Sequence, residues 1–268
     1  MEIDEYDLIV DKKSAPRGRI LRDIKVAINT EYNIYLTLFA HIYRLPPNSF
    51  SDLESEALQN CYSVNASRRD DLIARIIANQ TEEFKAICAY CLLLPRETID
   101  HYIPQQEYPA YSILVQNLIP CCSECNETKN DFWRSTRGRL FLHFYNDTIP
   151  NTQFLYGNLS FANNLPVISY TLQNNTNISP ALFALIQEHF TRLHLLHRYS
   201  NYGTSTLLSE IRVDVRINRM THGNIPISVI QSILRNKAIV YGDTYGLNYW
   251  KSIALHLLCR SNRFLSSL

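Results

Sequence analysis

Apolar residues recur at helical spacing through the first third of the chain. The pattern runs through RGRILRDIKVAI (17–28), NIYLTLFAHIYRL (33–45) and DDLIARIIANQTEEFKAI (70–87). Side chains three and four positions apart share one face of a helix. The pair Pro46-Pro47 interrupts the pattern, because proline lacks the amide hydrogen that a helix interior needs. Residues 1–85 are therefore predicted to be a helical region.

After residue 150 the period changes twice. The segments TQFLYGNLSF (152–161) and LPVISYTLQ (165–173) are typical of two strands joined by an Asn-rich turn. Helical spacing returns at the start signal Ser179-Pro180 and continues to the last residues. The segment around residues 209–218 fits both periods. Arg212, Arg216 and Arg219 share a helical face, whereas Val213, Val215 and Ile217 alternate as in a strand.

The stretch between these regions has no clean period and carries most of the cysteines. The sequence thus predicts an α+β fold in three regions. These are a helical region (1–85), a small cysteine-rich core (86–150), and a β-hairpin followed by helices (151–268).

Composition limits the setting in which the chain works. With 268 residues, 46% of them hydrophobic, the chain can bury a full core. The opening MEIDEYDLIV is acidic, unlike a secretory signal, and the run IYLTLFAHIY is too short to span a bilayer. A soluble, cytoplasmic protein without a membrane partner is expected. In such a reducing compartment, clustered cysteines bind metal more often than they form disulfides.

Charge is unevenly distributed although the net charge is only +1. Residues 1–60 have a balance of −3, and residues 189–268 have a balance of +7. Four cations and one acid lie between residues 129 and 139. Such an asymmetry indicates either solvated helical faces or a phosphate-facing side, and charge alone does not decide between them.

Two CxxC pairs, Cys88/Cys91 and Cys122/Cys125, lie about thirty residues apart. Each CxxC turn brings two sulfurs to one side of a knuckle, and two knuckles form a tetrahedral site for zinc. Four small core residues or a redox-active pair are the alternatives, and Cys121 adjoins Cys122 as a substitute ligand. A zinc ion with four thiolates has no open position, so its role is predicted to be structural.

Further residues follow in a fixed order. The sequence continues from the first pair with Asp100-His101-Tyr102-Ile103-Pro104, then Asn117, then the second pair followed by Asn126 and Lys129. This order resembles the HNH nuclease family, whose fold is the zinc-stapled ββα-metal unit. The resemblance covers residues 88 to about 145, and Asn126 replaces the last histidine, as in the HNN variant. Residues 140–161 and the helices after them resemble HNH proteins of bacterial phage-defence loci.

The resemblance implies a role for each motif residue. His101 is the expected general base, because an imidazole titrates near neutrality, and Asn117 is expected to brace its loop. Asp100 and Asn126 offer the hard oxygens that suit Mg²⁺ or Mn²⁺. The cations expected to contact phosphates near the cut are Lys129, Arg134, Arg137 and Arg139. His143 either shapes the site or packs, and packing is favoured.

Together these features predict a metal-dependent DNA endonuclease with catalytic Mg²⁺ or Mn²⁺ and structural Zn²⁺. No helix-turn-helix or second zinc module is evident in the flanking helices, so an ATPase or sensor subunit of an anti-phage system is the expected partner. The alternatives are an inert zinc-stabilised scaffold or nucleic-acid-binding subunit, and a redox or zinc-delivery protein. The intact set of Asp100, His101 and Asn126 favours the enzyme.

Overall fold

The computed structural model describes residues 2–11, 13–47, 49–63, 66–175 and 178–268. The chain divides into two compact units, Met1–Asp147 and Thr148–Leu268. The first unit contains both the predicted helical region and the cysteine-rich core. The division into three regions stays a prediction, whereas the mixture of helices with small sheets confirms the α+β class.

Helices form the first part of the first unit. They are α1 (Glu2–Val10), α2 (Arg17–Asp23), α3 (Lys25–Thr37), α4 (Asp52–Ser63), α5 (Ala66–Ala78) and α6 (Glu82–Lys85), with a 3₁₀ turn at Phe39–Arg44. The hydroxyl of Tyr6 donates to Leu21 O at 2.7 Å and joins α1 to α2 inside the core. Gly18 is required in α2, because a Cβ there would lie 2.2 Å from Lys13 O.

The cysteine-rich part contains a short antiparallel pair and a helix. Strands β1 (Thr98–His101) and β2 (Leu118–Cys121) pair so that Thr98 faces Cys121 and His101 faces Leu118. Helix α7 (Ser123–Lys129) follows β2 directly, and a two-residue ladder joins β3 (Arg134–Ser135) to β4 (Gly138–Arg139). This β–β–helix arrangement is the one that the resemblance implied.

The second unit begins with the predicted hairpin. Strands β5 (Leu155–Ala162) and β6 (Leu165–Leu172) are joined through Asn163 and Asn164, whose φ angles are 48° and 65°. Asparagine tolerates this left-handed conformation, and two such residues twist a hairpin turn correctly. The hairpin therefore follows from the Asn-rich turn that the sequence predicts.

Helices complete the second unit. They are α8 (Pro180–Arg192), α9 (Leu195–Arg198), α10 (Thr204–His222), α11 (Ile227–Tyr245), α12 (Trp250–Cys259) and α13 (Asn262–Leu265), with a π-helical turn at Tyr199–Gly203. The ambiguous residues 209–218 are helical within α10. Ile211 and Val215 are buried one turn apart, whereas Val213 and Ile217 are more than half exposed. The alternating residues Val213, Val215 and Ile217 therefore do not share one buried face, as they would in a strand.

No helix in the described ranges combines the length and apolar character needed to cross a bilayer.

Candidate active site

The four predicted zinc ligands meet in the first unit. Their sulfur atoms lie within 4.8 Å of one another, all four residues are buried, and Cys91 Sγ is 3.9 Å from Cys122 Sγ. Zinc–sulfur bonds of about 2.3 Å in a tetrahedron require sulfur–sulfur distances of about 3.8 Å. The cluster therefore has the dimensions of a Cys₄ zinc site.

Local backbone geometry builds each knuckle. Leu92 adopts a positive φ of 47° after Cys91, and its amide donates to Cys88 O at 3.0 Å. Cys122 caps α7, and its sulfur accepts from Cys125 N at 3.4 Å. Hydrogen bonds from the thiols of Cys125, Cys88 and Cys91 lower the pKa of Cys122, which favours the thiolate that zinc binds.

The remaining cysteines do not join the cluster. Cys121 lies on β2 opposite Thr98, and Cys61 and Cys259 are buried in α4 and α12. The cluster among the described residues uses Cys122, in agreement with the CxxC spacing.

Asp100 points into the protein from β1 and is only 3% exposed. The Tyr90 hydroxyl donates to its Oδ2 at 2.6 Å, and the Lys129 ammonium donates to its Oδ1 at 3.0 Å. Lys129 also donates to His101 O at 3.0 Å. A buried ion pair thus ties the end of α7 to the end of β1.

This pair corrects the prediction that Lys129 contacts phosphates. Its side chain is fully buried, since the packing of α7 over β1 turns it inward onto Asp100. A substrate phosphate has no access to an ammonium group in that position.

Two of the three predicted arginines are also engaged inside the first unit. Arg139 binds Asp147 through both terminal nitrogens, at 2.8 and 2.6 Å, and both side chains are nearly buried. Arg134 donates to Leu45 O at 2.7 Å and to Glu107 at 2.6 Å. Arg137, in the turn between β3 and β4, is exposed, so it alone of these four cations has an outward position.

His101 is half-buried at the end of β1. Its Nε2 lies 2.9 Å from Ser112 O, and the Tyr62 ring contacts it edge to face at 4.4 Å. A carbonyl oxygen only accepts, so Nε2 carries the hydrogen and Nδ1 carries the lone pair. Burial lowers the pKa of His101, although the hydrogen bond to Ser112 O opposes the shift. The neutral ring is thereby favoured.

Asn117 is fully buried behind this residue. Its Nδ2 donates to Ile103 O at 2.9 Å and to Tyr111 O at 3.1 Å, and its Oδ1 accepts from Ile103 N at 2.7 Å. One side chain therefore satisfies three main-chain groups of the loop between β1 and β2. Asn117 fixes the loop but is not among the residues that line the cleft beside β1 and α7.

His143 packs close to that loop. Its Nε2 lies 2.8 Å from Gln116 O and 3.1 Å from the Tyr35 hydroxyl, and the residue is 1% exposed. The ring contacts Phe39 and Tyr102 edge to face. This environment matches the packing role that the sequence analysis favoured.

A polar cleft of about 270 Å³ opens beside β1 and α7. It brings together Asp100, His101 and Asn126, three of the predicted site residues. The Asn126 Nδ2 donates to Thr98 Oγ1 at 3.3 Å, and no donor contacts its Oδ1 within the described ranges. The cleft is also lined by Glu127 and Asp131, which were not among the predicted site residues. Their spacing of four residues could have predicted that they lie on the same side, because residues four apart on a helix are neighbours on its surface.

Comparison with known families matches residues 88–132 to the HNH endonuclease family. Residues 88–132 are an HNH endonuclease domain. The match covers the cysteine cluster, β1, β2 and α7. Across a longer stretch the chain is similar to Protein ea31 of Escherichia phage lambda, with 24% identity over 191 residues. That alignment covers 68% of this chain and 64% of the phage protein. No solved structure matches the chain.

Proposed function

We propose that the chain is a metal-dependent endonuclease that hydrolyses DNA phosphodiester bonds in the cleft of its HNH domain. The observation that carries the proposal is the hydrogen bond from His101 Nε2 to Ser112 O, which leaves Nδ1 as the proton acceptor of a residue that lines the cleft. Asp100 and Asn126, whose side chains carry oxygen atoms, line the same cleft. A base and hard oxygen ligands are the groups that phosphodiester hydrolysis needs.

In this reaction His101 accepts a proton from water at Nδ1. The carbonyl of Ser112 holds the ring in one tautomer and stabilises the imidazolium that forms. The buried Asn117 amide maintains the loop that supplies that carbonyl, because it binds Ile103 and Tyr111 on either side of the turn. Asn117 acts as a positioning residue through this loop.

The donor set fits two different metals. Asp100 oxygens keep lone pairs beyond those used by Tyr90 and Lys129, and Asn126 Oδ1 is unused by the described residues, so Mg²⁺ or Mn²⁺ has hard ligands in the cleft. A divalent cation bound there supplies Lewis-acid stabilisation of the phosphate charge. Zinc in the Cys₄ cluster supplies only rigidity, since thiolates fill its four positions.

Plasmid cleavage by the His101→Ala protein tests the proposal. Loss of a general base typically slows a reaction by about 10²–10⁴-fold, and zinc content and solubility should stay as in the wild type. His41→Ala is the matched control, because His41 is exposed in the same unit. Cleavage by His101→Ala at the wild-type rate would refute the assignment of His101 as the general base.

Asn126→Ala separates the metal ligand from the base. Its defect should be partly restored across a Mn²⁺ titration, since higher metal concentration offsets a weakened site. The His101→Ala defect should not respond, because a metal does not replace the missing proton acceptor. Equal rescue of both variants would contradict these roles.

The biological setting that we propose is the nuclease subunit of a bacterial anti-phage system joined to an ATPase or sensor subunit. Support comes from the sequence resemblance to HNH proteins of defence loci. Plaque counts on cells that carry the native operon, with and without His101→Ala, test this setting. Equal plaque numbers for the two strains would count against it.

A further inference from the structure

The HNH domain lies in a unit with a net negative charge. Residues 1–147 contain 16 Lys/Arg and 21 Asp/Glu, a balance of −5. Three of the four cations between residues 129 and 139 form ion pairs with acids of the same unit. They are Lys129, Arg134 and Arg139. DNA binding draws most of its affinity from cations that replace the counterions of phosphates. The first unit is therefore poorly suited to hold a long polyanion.

The second unit has the opposite charge. Residues 148–268 contain 10 Lys/Arg and 4 Asp/Glu, a balance of +6. Three of the cations lie on α10 and line one groove of about 460 Å³. The residues that line this arginine groove are Arg212, Val215, Arg216, Arg219, Met220, Ser267 and Leu268. No carboxylate side chain is among the described residues that line it.

The acids nearest to these arginines along α10 are neutralised elsewhere. Glu210 accepts from the Lys251 ammonium at 2.6 Å, and Asp214 pairs with Lys237. Arg219 donates to the main-chain oxygen of Leu268 at 2.7 Å. For Arg212 and Arg216, no carboxylate lies within ion-pair distance in the part of the chain that the structure describes. Their guanidinium groups are exposed and available to an anion.

The spacing suits a phosphate backbone. Arg212, Arg216 and Arg219 occupy successive turns, so they span about 10 Å along the helix at 1.5 Å per residue. Guanidinium groups bind phosphate oxygens through paired hydrogen bonds, which a lysine does not do. The same helix exposes Val213 and Ile217, a feature of protein-binding surfaces, but the groove itself is lined by three cations.

We propose that the arginine groove binds the phosphate backbone of the DNA that the HNH domain cleaves. This rests on the proposed nuclease function and adds that substrate anchoring belongs to the second unit. Cleavage chemistry and backbone affinity then reside in different units of one chain.

The test measures DNA binding in the inactive His101→Ala protein. Each protein is titrated into a fluorescein-labelled duplex, and binding is followed by fluorescence anisotropy at salt concentrations from about 50 to 200 mM. The two proteins compared are His101→Ala and His101→Ala with Arg212→Gln/Arg216→Gln. Each lost phosphate contact reduces the slope of log K against log[salt] by about 0.9. For two contacts, the ratio between the affinities at the two salt limits falls by about 12-fold.

Matched controls separate the groove from net charge. Arg19→Gln/Arg22→Gln removes the same charge from exposed positions on α2 and should leave the slope unchanged. Arg212→Lys/Arg216→Lys should restore most of the slope, because the charge is kept. In the active enzyme, Arg212→Gln/Arg216→Gln should raise the KM for plasmid while kcat at saturation stays near the wild-type value.

Two outcomes would overturn the inference. One is an unchanged affinity and slope in Arg212→Gln/Arg216→Gln while the wild-type enzyme still cuts plasmid, in which case the nuclease proposal stands. The other uses poly-glutamate as a second probe and is a loss of its binding in Arg212→Gln/Arg216→Gln while DNA binding stays unchanged. That result would assign the groove to an acidic protein. Cleavage by His101→Ala at the wild-type rate refutes the nuclease proposal separately, and the salt slope still decides the groove.

Discussion

Lys129→Met removes the cation of the buried pair but keeps an unbranched side chain of similar length. Among the described residues, the Tyr90 hydroxyl, 2.6 Å away, would then be the only side-chain donor left to the Asp100 carboxylate. Asp100 is 3% exposed, so the little water that reaches it from the cleft replaces only part of the lost ammonium interaction. We expect this single change to be among the most destabilising in the first unit.

The magnitude follows from the geometry. Opposite charges 3.0 Å apart attract by about 5 kcal/mol at an effective dielectric constant of about 20. Breaking a buried pair by removing one partner costs about 3–5 kcal/mol in free energy of unfolding. Asp100→Asn/Lys129→Met should recover much of that loss, because no unpaired charge then remains buried.

Urea unfolding followed by tryptophan fluorescence measures the effect. The chain has two tryptophans, and the buried Trp133 reports on the first unit in a Trp250→Phe background. Zinc and reductant are held constant, because metal that binds the folded state adds to its stability. Lys85→Met is the control, since Lys85 pairs with the exposed Glu82, and exposed pairs contribute about 0–1 kcal/mol.

The double-mutant cycle decides the matter. Destabilisation by Lys129→Met no larger than that of Lys85→Met would refute the assignment of a buried, mutually dependent pair. An Asp100→Asn/Lys129→Met protein less stable than Lys129→Met would refute it as well. Either result would mean that the carboxylate is solvated or finds another cation.

Two further predictions concern the same unit. Cys125→Ser should reduce bound zinc and expose residues 86–130 to protease, because metal binding there stabilises the fold, and zinc content equal to the wild type would contradict the ligand assignment. Burial lowers the pKa of His143 to about 3 from 6.5, so the unfolded state binds its proton first. The free energy of unfolding of the first unit should fall by about 1.4 kcal/mol per pH unit as pH falls from 6.5 towards 3, because only the unfolded state binds the proton in that window. The loss should be smaller in His143→Gln, and identical pH profiles in urea melts would oppose this.

Much of the fold was predictable because its elements carry local signals. The hairpin β5–β6 follows from Asn163 and Asn164, whose side chains tolerate the left-handed turn. Residues 209–218 were undecided, because their two periods overlap and only the burial of Ile211 and Val215 selects the helix. Neither the helical period nor the strand period of this segment predicts which other elements bury its apolar residues.

The candidate site shows the same limit. The four motif cysteines lie together as their CxxC spacing predicts, and Asp100, His101 and Asn126 line one cleft. Tyr90 was not identified, although it binds Asp100 at 2.6 Å, because nothing in a CxxC spacer indicates a partner ten residues away. Ser112, which receives the His101 hydrogen bond, lies in a loop without a sequence signal.

The cations between residues 129 and 139 explain why local charge misleads. Counted along the sequence, they form a basic segment. Folding brings an acid from elsewhere to three of the four: Asp100 to Lys129, Glu107 to Arg134 and Asp147 to Arg139. On α10 the fold does the reverse, because lysines from other helices neutralise Glu210 and Asp214. A segment therefore presents charge to DNA only to the extent that long-range partners leave it unpaired, and by that criterion α10 is the better candidate.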